Sequence, residues 1–266
     1  MVNSPINPEN AAAFYSLEAF EGKRDLQNTD LYKRYYRNCF IGYDPSDLTI
    51  LQFNKILSDI KKYIRPNNHL KLLDIGCATG VFLDLARANG WNVKGIEISE
   101  DLSTYARDQF GLEVKNDLYE ASFRSAEFDV VTLLDVVEHL PPSSASDMLK
   151  EISRIVKPGC VVVIRTPSED ACLRALAKAI FFASFHKLQE QMHLFYSFEH
   201  ILNFTPDALQ YIFQRNGFRL ISQRREEENP NRLNISKISK FILQFTYMFS
   251  ALLKRQHKMI HIYQRI

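Results

Sequence analysis

An aspartate and two glycines in the stretch LLDIGCATG, Leu72 to Gly80, are the first residues whose types and spacing speak of chemistry. Apolar residues that run straight into glycine predict a strand, a tight turn and then a helix. The turn reads Asp74-x-Gly76-x-x-x-Gly80, with Cys77 and Ala78 inside it. A pyrophosphate-binding turn usually carries three glycines, G-x-G-x-x-G, for close backbone approach and helix packing. Here Ala78 takes the middle position. Glu97 follows about 20 residues beyond Gly76, at the end of a second apolar run, where an acid accepts hydrogen bonds from ribose hydroxyls. A ribose-bearing ligand is therefore expected. A nicotinamide dinucleotide and S-adenosylmethionine both satisfy the pattern.

The elements that must position these groups are legible as alternating strands and helices from Leu70 onward. LKLLDIG, NVKGIEIS, LEVKND and FDVVTLLDVVEHL read as four successive strands, the last apolar enough to be buried on both faces. VFLDLARANG is a helix closed by Gly90, EDLSTYARDQFG a helix with Ser99 as N-cap, and ASDMLKEISRIV a third. KPG is expected as a turn before a fifth strand, CVVVIRTP. TPDALQYIFQRNGF has Thr205 as N-cap, Pro206 at the first helical position and Gly217 as the stop. FRLISQRR and KMIHIYQRI supply the remaining strands. Repeated strand–helix–strand units with buried strands imply a parallel sheet covered by helices on both faces. Before it, residues 1–69 are expected to form an N-terminal helical segment or lid. There Leu48, Leu51, Ile56, Ile60 and Ile64 are expected to line one helix face. Helical insertions are expected at about 169–203 and 229–255, within a domain spanning 70–266.

Bulk properties narrow the function classes. The formal net charge of +2 over 266 residues argues against a dedicated nucleic-acid binder. Four cysteines without C-x-x-C pairing fit a reducing compartment, and the N-terminal MVNSPINPEN lacks a signal-peptide pattern. No apolar run is long enough to span a bilayer. A cytoplasmic protein is the expectation, with membrane contact limited to a surface.

Taken together, LLDIGCATG, GIEIS, FDVVTLLDVVEHL, LKEISRIVKPGCVVVIRTP and EHILNFTPDALQYIFQRNGF resemble the class I S-adenosylmethionine-dependent methyltransferases. The resemblance is to the branch that includes ubiquinone-biosynthesis O-methyltransferases and natural-product enzymes, and it runs from about Leu70 to Gly217. It implies a Rossmann-like, seven-stranded, mostly parallel α/β sheet whose last strand is antiparallel, with S-adenosylmethionine as cofactor and S-adenosylhomocysteine as product. It also implies roles. Asp74, Gly76, Cys77, Ala78 and Gly80 would face the amino-acid end of the cofactor, and Glu97 with Ile98 the ribose. Asp117 would accept from the adenine amino group, with Leu118 beside the ring. Asp135 would lie near the reacting methyl, and Tyr36 would close over the cofactor through its aromatic face.

Methylation of a hydroxyl needs a base, and histidine titrates near neutral pH. His139, just beyond the fourth strand, is the first candidate and His200, in EHILNFT, the second. Glu138, His139 and His200 lack tight ligand spacing, so no metal is expected. Phe181, Phe182, Phe185, Phe195, Phe198 and Phe204 fit either a planar, lipophilic acceptor or the core of a cap. Ile238, Phe241, Phe245, Phe249 and Leu252 form one helical stripe flanked by lysines, suited to a membrane surface or to docking on the domain or a second subunit. The expected activity is methyl transfer to a small molecule, at a hydroxyl. N- or C-methylation, a non-catalytic cofactor-binding scaffold and a dehydrogenase are the competing readings. Monomer and homodimer both remain open.

Overall fold

β-branched and leucine-rich runs, cut by glycine and asparagine turns, build one seven-stranded sheet in the order β3-β2-β1-β4-β5-β7-β6. The computed structural model describes residues 48–65, 69–184, 200–227 and 237–266, with side chains in the last stretch from Leu243 on. Its strands are β1 (Lys71–Ile75), β2 (Asn92–Ile96), β3 (Glu113–Lys115), β4 (Phe128–Leu134), β5 (Val156–Pro167), β6 (Phe218–Glu226) and β7 (Lys258–Arg265). The run β3-β2-β1-β4-β5 is parallel throughout, and β7 runs antiparallel to both β5 and β6. This is the Rossmann-like arrangement, with its antiparallel last strand, that the resemblance to class I methyltransferases implies. Strand order reverses between β1 and β4, which opens a crevice at their carboxyl ends.

Side chains alternate between two cores, as a period of two requires. On one face Leu72, Val130, Val161 and Val163 pack with α1 (Leu48–Lys61) and α2 (Val81–Ala88). On the other face Leu73, Val131, Leu133 and Val162 pack with α4 (Pro142–Ile155) and α6 (Pro206–Arg215). The remaining helices are α3 (Glu100–Phe110), α5 (Cys172–Ala183) and α7 (Lys237–Leu252). Ser99 caps α3 by accepting from Leu102 N–H, and Thr205 caps α6 by accepting from Ala208 N–H. Among the described residues no helix is long and apolar enough to cross a membrane.

Three details differ from the sequence expectation, each for a local reason. The inward face of α1 is Ile50, Ile56, Leu57 and Ile60, while Leu48 and Leu51 are exposed. At 100° per residue, positions 50, 57 and 60 align, and 48 points away from them. Strand β4 stops at Leu134 rather than running to Leu140, because Asp135 turns left-handed (φ 61°) and Val137–His139 wind into a 3₁₀ turn. KPG lies within β5, where Gly159 (φ 75°) absorbs a register shift against β4. Tyr36, Phe185, Phe195 and Phe198 lie outside the described residues.

Candidate active site at the β1–β4 crevice

Three left-handed residues in five, Gly76 (φ 75°), Ala78 (φ 49°) and Gly80 (φ 83°), coil the chain tightly from β1 into α2. A Cβ on Gly76 would lie 2.4 Å from a Val136 methyl, and one on Gly80 2.5 Å from Leu112. Both glycines are thus needed for φ and for packing. Ala78 takes the same left-handed turn with a methyl group, at a cost of about 1–2 kcal/mol. The turn is tied to β2, since Gly76 N–H and Cys77 N–H both donate to the Ile96 carbonyl.

Glu97, immediately after β2, is the centre of this half of the site. Its carboxylate accepts from Ala78 N–H at 2.8 Å and from Ser99 N–H at 2.9 Å. Burial raises its pKa, and the N–H groups of Ser99, Ala78 and Ile98 pull it back. Each oxygen accepts one of these bonds and keeps acceptor capacity for a further donor. Asn116 braces the strand ends from β3, donating to the Glu97 carbonyl and to Ser103 Oγ.

Asp74 sits beneath the turn rather than on its rim. It is 2% exposed and accepts from Thr132 Oγ on β4 at 2.6 Å, tying the two strands at the reversal point. Burial pushes its carboxyl up to about 7, against the Thr132 bond and the Arg165 charge. Cys77 is buried, and burial pushes its thiol up. Ile98 is exposed beside Glu97 and Leu118 is buried. The exposed Asp117 uses its carboxylate to accept from Tyr119 N–H and Glu120 N–H, an Asx-type turn.

Across the crevice the groups are held by charge. Asp135 lies 2.6 Å from Arg165 on β5 and 2.9 Å from Lys258 on β7. Burial works to raise its pKa, but the Arg165 and Lys258 charges win and hold it well below the carboxylate range. Glu138 accepts from Thr166 Oγ at 2.9 Å, and burial, with the Asp135 charge added, raises its pKa. Its carbonyl accepts from Ile201 N–H and Leu202 N–H, which pins the loop bearing His200 onto the 3₁₀ turn bearing His139. The two imidazole rings meet edge to face at 4.9 Å. Burial, with the His139 and Arg174 charges, pushes His200 down to about 3.

The fold therefore brings together three donors that sequence spacing did not link. Glu138, His139 and His200 each offer a ligand atom within 4.8 Å of the other two. Glu138 Oε1 and His200 Nδ1, like Asp135 Oδ1, are buried with no hydrogen-bond partner among the described residues. Such orphaned atoms are costly unless a ligand, water or ion satisfies them. Thr132, Asn116, Arg165, Thr166 and Lys258 had no place in the sequence reading of the site. Arg165 gave one signal, a lone charge in the apolar strand CVVVIRTP.

Comparison with known proteins places this geometry. The family described as "Methyltransferase domain" matches residues 49–223. A ubiquinone biosynthesis O-methyltransferase of Thiobacillus denitrificans is 33% identical over 108 residues, covering 38% of this chain and 46% of its own. A malonyl-[acyl-carrier protein] O-methyltransferase of Erwinia pyrifoliae is 33% identical over 110 residues, 41% of each chain. The chain thus spans less than half the length of these two curated relatives. A solved SAM-dependent methyltransferase from Archaeoglobus fulgidus shares the fold, with TM-score 0.59, 21% identity, and coverage of 88% of this chain and 100% of that one. With the family pattern running from α1 through β5 and into β6, and covering the Glu97 turn, Asp135, Glu138, His139 and His200, the chain belongs to the methyltransferase-domain family.

Proposed function

We propose that the chain transfers a methyl group from S-adenosylmethionine to a hydroxyl of a small, lipophilic or aromatic acceptor. The observation that carries this reading is Glu97, a carboxylate fixed by two backbone N–H groups beside the strand-order reversal. That donor set suits an adenosyl ligand: Glu97 would accept from the ribose hydroxyls, with Ile98 and Leu118 as apolar neighbours. Bound there, the cofactor would supply a methyl on a sulfonium, whose loss as a neutral thioether needs no further activation. The chain's own work is alignment, exclusion of water and removal of the acceptor proton.

His139 is assigned as the base, because its neighbour His200 is held neutral by burial and cannot gain a proton near pH 7. His200 and the buried Glu138 would then orient it. The two curated relatives above are named as O-methyltransferases, which supports transfer to oxygen. Calorimetric titration with S-adenosylhomocysteine, and with NAD as control, tests the cofactor reading. Micromolar binding of S-adenosylhomocysteine alone supports it, while binding of NAD alone would replace it with a dehydrogenase. Binding of neither would favour a scaffold.

A second reading rests on the orphaned Glu138 Oε1 and His200 Nδ1 beside His139. A divalent cation held by this mixed oxygen and nitrogen set would satisfy both atoms and polarise the acceptor hydroxyl. Titration of chelator-treated protein with Zn²⁺, Mn²⁺ and Mg²⁺ separates the two readings. A stoichiometric isotherm that Glu138→Gln abolishes would favour the metal; full turnover in chelator would leave His139 as a base acting alone.

A further inference from the structure

Helix α7 is turned inside out relative to an ordinary surface helix. Leu243 and Ser250 are buried, and Ser250 Oγ donates to Glu227, while Phe245, Met248, Phe249 and Leu252 are 56%, 69%, 58% and 76% exposed. These four follow the i, i+3, i+4, i+7 spacing of a single helical face. Helix α5 packs beside α7 and adds Phe182, 65% exposed. Isolated exposed apolar residues are ordinary, but four large ones on a single helical face are a surface that water does not favour.

Charge identifies what covers it. Residues 237–266 contain no aspartate or glutamate, whereas Lys237, Lys240, Lys254 and Arg255 lie in or next to α7. Lys254 and Arg255 are exposed at its carboxyl end, where Lys254 adopts a left-handed cap (φ 54°) and Arg255 N–H closes on the Ser250 carbonyl. An apolar stripe with Lys254 and Arg255 exposed at its end complements an anionic bilayer surface.

We propose that the exposed face of α5 and α7 docks the protein on anionic membrane surfaces. Its apolar residues would enter the acyl boundary, with Lys254 and Arg255 at the headgroups. Both helices are rooted at the carboxyl end of the sheet: Cys172 N–H, opening α5, donates to the Arg255 carbonyl, and Lys258 reaches Asp135 three residues later. Docking would bring the crevice to the lipid and let a lipid-soluble acceptor enter from it. This last step rests on the methyl-transfer reading; docking itself does not.

The test is flotation of the full chain with phosphatidylcholine vesicles, with and without phosphatidylglycerol, at low and high salt. Binding is expected to the anionic vesicles and to weaken with salt. The pair Lys254→Glu/Arg255→Glu should partition roughly thirtyfold more weakly. Met248→Ser/Phe249→Ser, at exposed positions, should keep its melting temperature and lose flotation. No flotation of the unaltered chain, or flotation indifferent to both pairs, overturns the proposal. So does light scattering that finds a dimer which Met248→Ser/Phe249→Ser dissolves, since the face would then belong to a second copy. Each outcome is independent of S-adenosylhomocysteine binding, so docking and methyl transfer can fail separately.

Discussion

On the β1–β2–β3 side of the crevice, the carboxylate of Glu97 is held by backbone N–H groups from its own turn and the one before it. On the β4–β5–β7 side, Asp135 is held by two side-chain cations that come from 30 and 123 residues away. The first arrangement is local and costs little to keep, because the N–H groups are fixed by the turn whether or not a ligand is present. The second carries buried charges whose mutual attraction must offset their desolvation. A half built from backbone suits an invariant ligand, while a half built from side chains can be retuned by substitution. Under the proposed function, that division would put the cofactor on one side and acceptor chemistry on the other.

The contrast can be broken or sharpened by substitution. Replacing His139 by alanine should lower turnover about 10²–10⁴-fold and leave S-adenosylhomocysteine affinity unchanged, as read by methyl transfer and calorimetry. Unchanged turnover would move the proton acceptor elsewhere. Arg165→Leu strips one cation from buried Asp135 and should cost about 3–5 kcal/mol in urea denaturation. A loss below about 1 kcal/mol would mean that Lys258 alone suffices.

Acidification probes the same half through β7. Burial, with the Arg225 charge added, pushes His261 down to about 4. The unfolded histidine takes up its proton near pH 6.5 and the folded one resists it. Stability present above pH 6.5 should therefore be lost as pH falls from 6.5 through 4, by about 3 kcal/mol. The fall should be shallower in His261→Gln; equal slopes would sink the assignment. On the cofactor side, Glu97→Ala should weaken S-adenosylhomocysteine binding by about 1.5–3 kcal/mol. Wild-type affinity would remove the ribose role. The smallest effect is expected of Ala78→Gly, which relieves the left-handed strain at some entropic cost and should stabilise by about 0.5–1 kcal/mol in thermal melts.

The two halves also differ in how far the sequence revealed them. The Gly76–Gly80 turn and Glu97 sit in two contiguous motifs, and backbone conformation follows from glycine spacing and strand periodicity. The Ser99 and Thr205 caps were legible for the same reason. Glu138 and His139 were visible as neighbours, but His200 joins them only because the Glu138 carbonyl captures its loop. Lys258 and Arg165 meet Asp135 through sheet order, with β7 inserted between β5 and β6. No local pattern encodes that insertion. The face of α7 was legible as a stripe, but its outward orientation follows from Ser250 and Glu227, which the stripe does not include.

That insertion of β7 has a consequence in time. The strand that delivers Lys258 to Asp135 is made after every other element of the sheet, and β6 must wait for it to find a partner. A nascent chain with β1 to β5 complete already holds the Glu97 turn, yet Asp135 has only Arg165 to face. The half built around Glu97 can mature early during synthesis, and the charged half closes last. Translation order thus separates the two assembly steps, and any factor that shields the growing polypeptide must guard the bare edge of β5 in the interval.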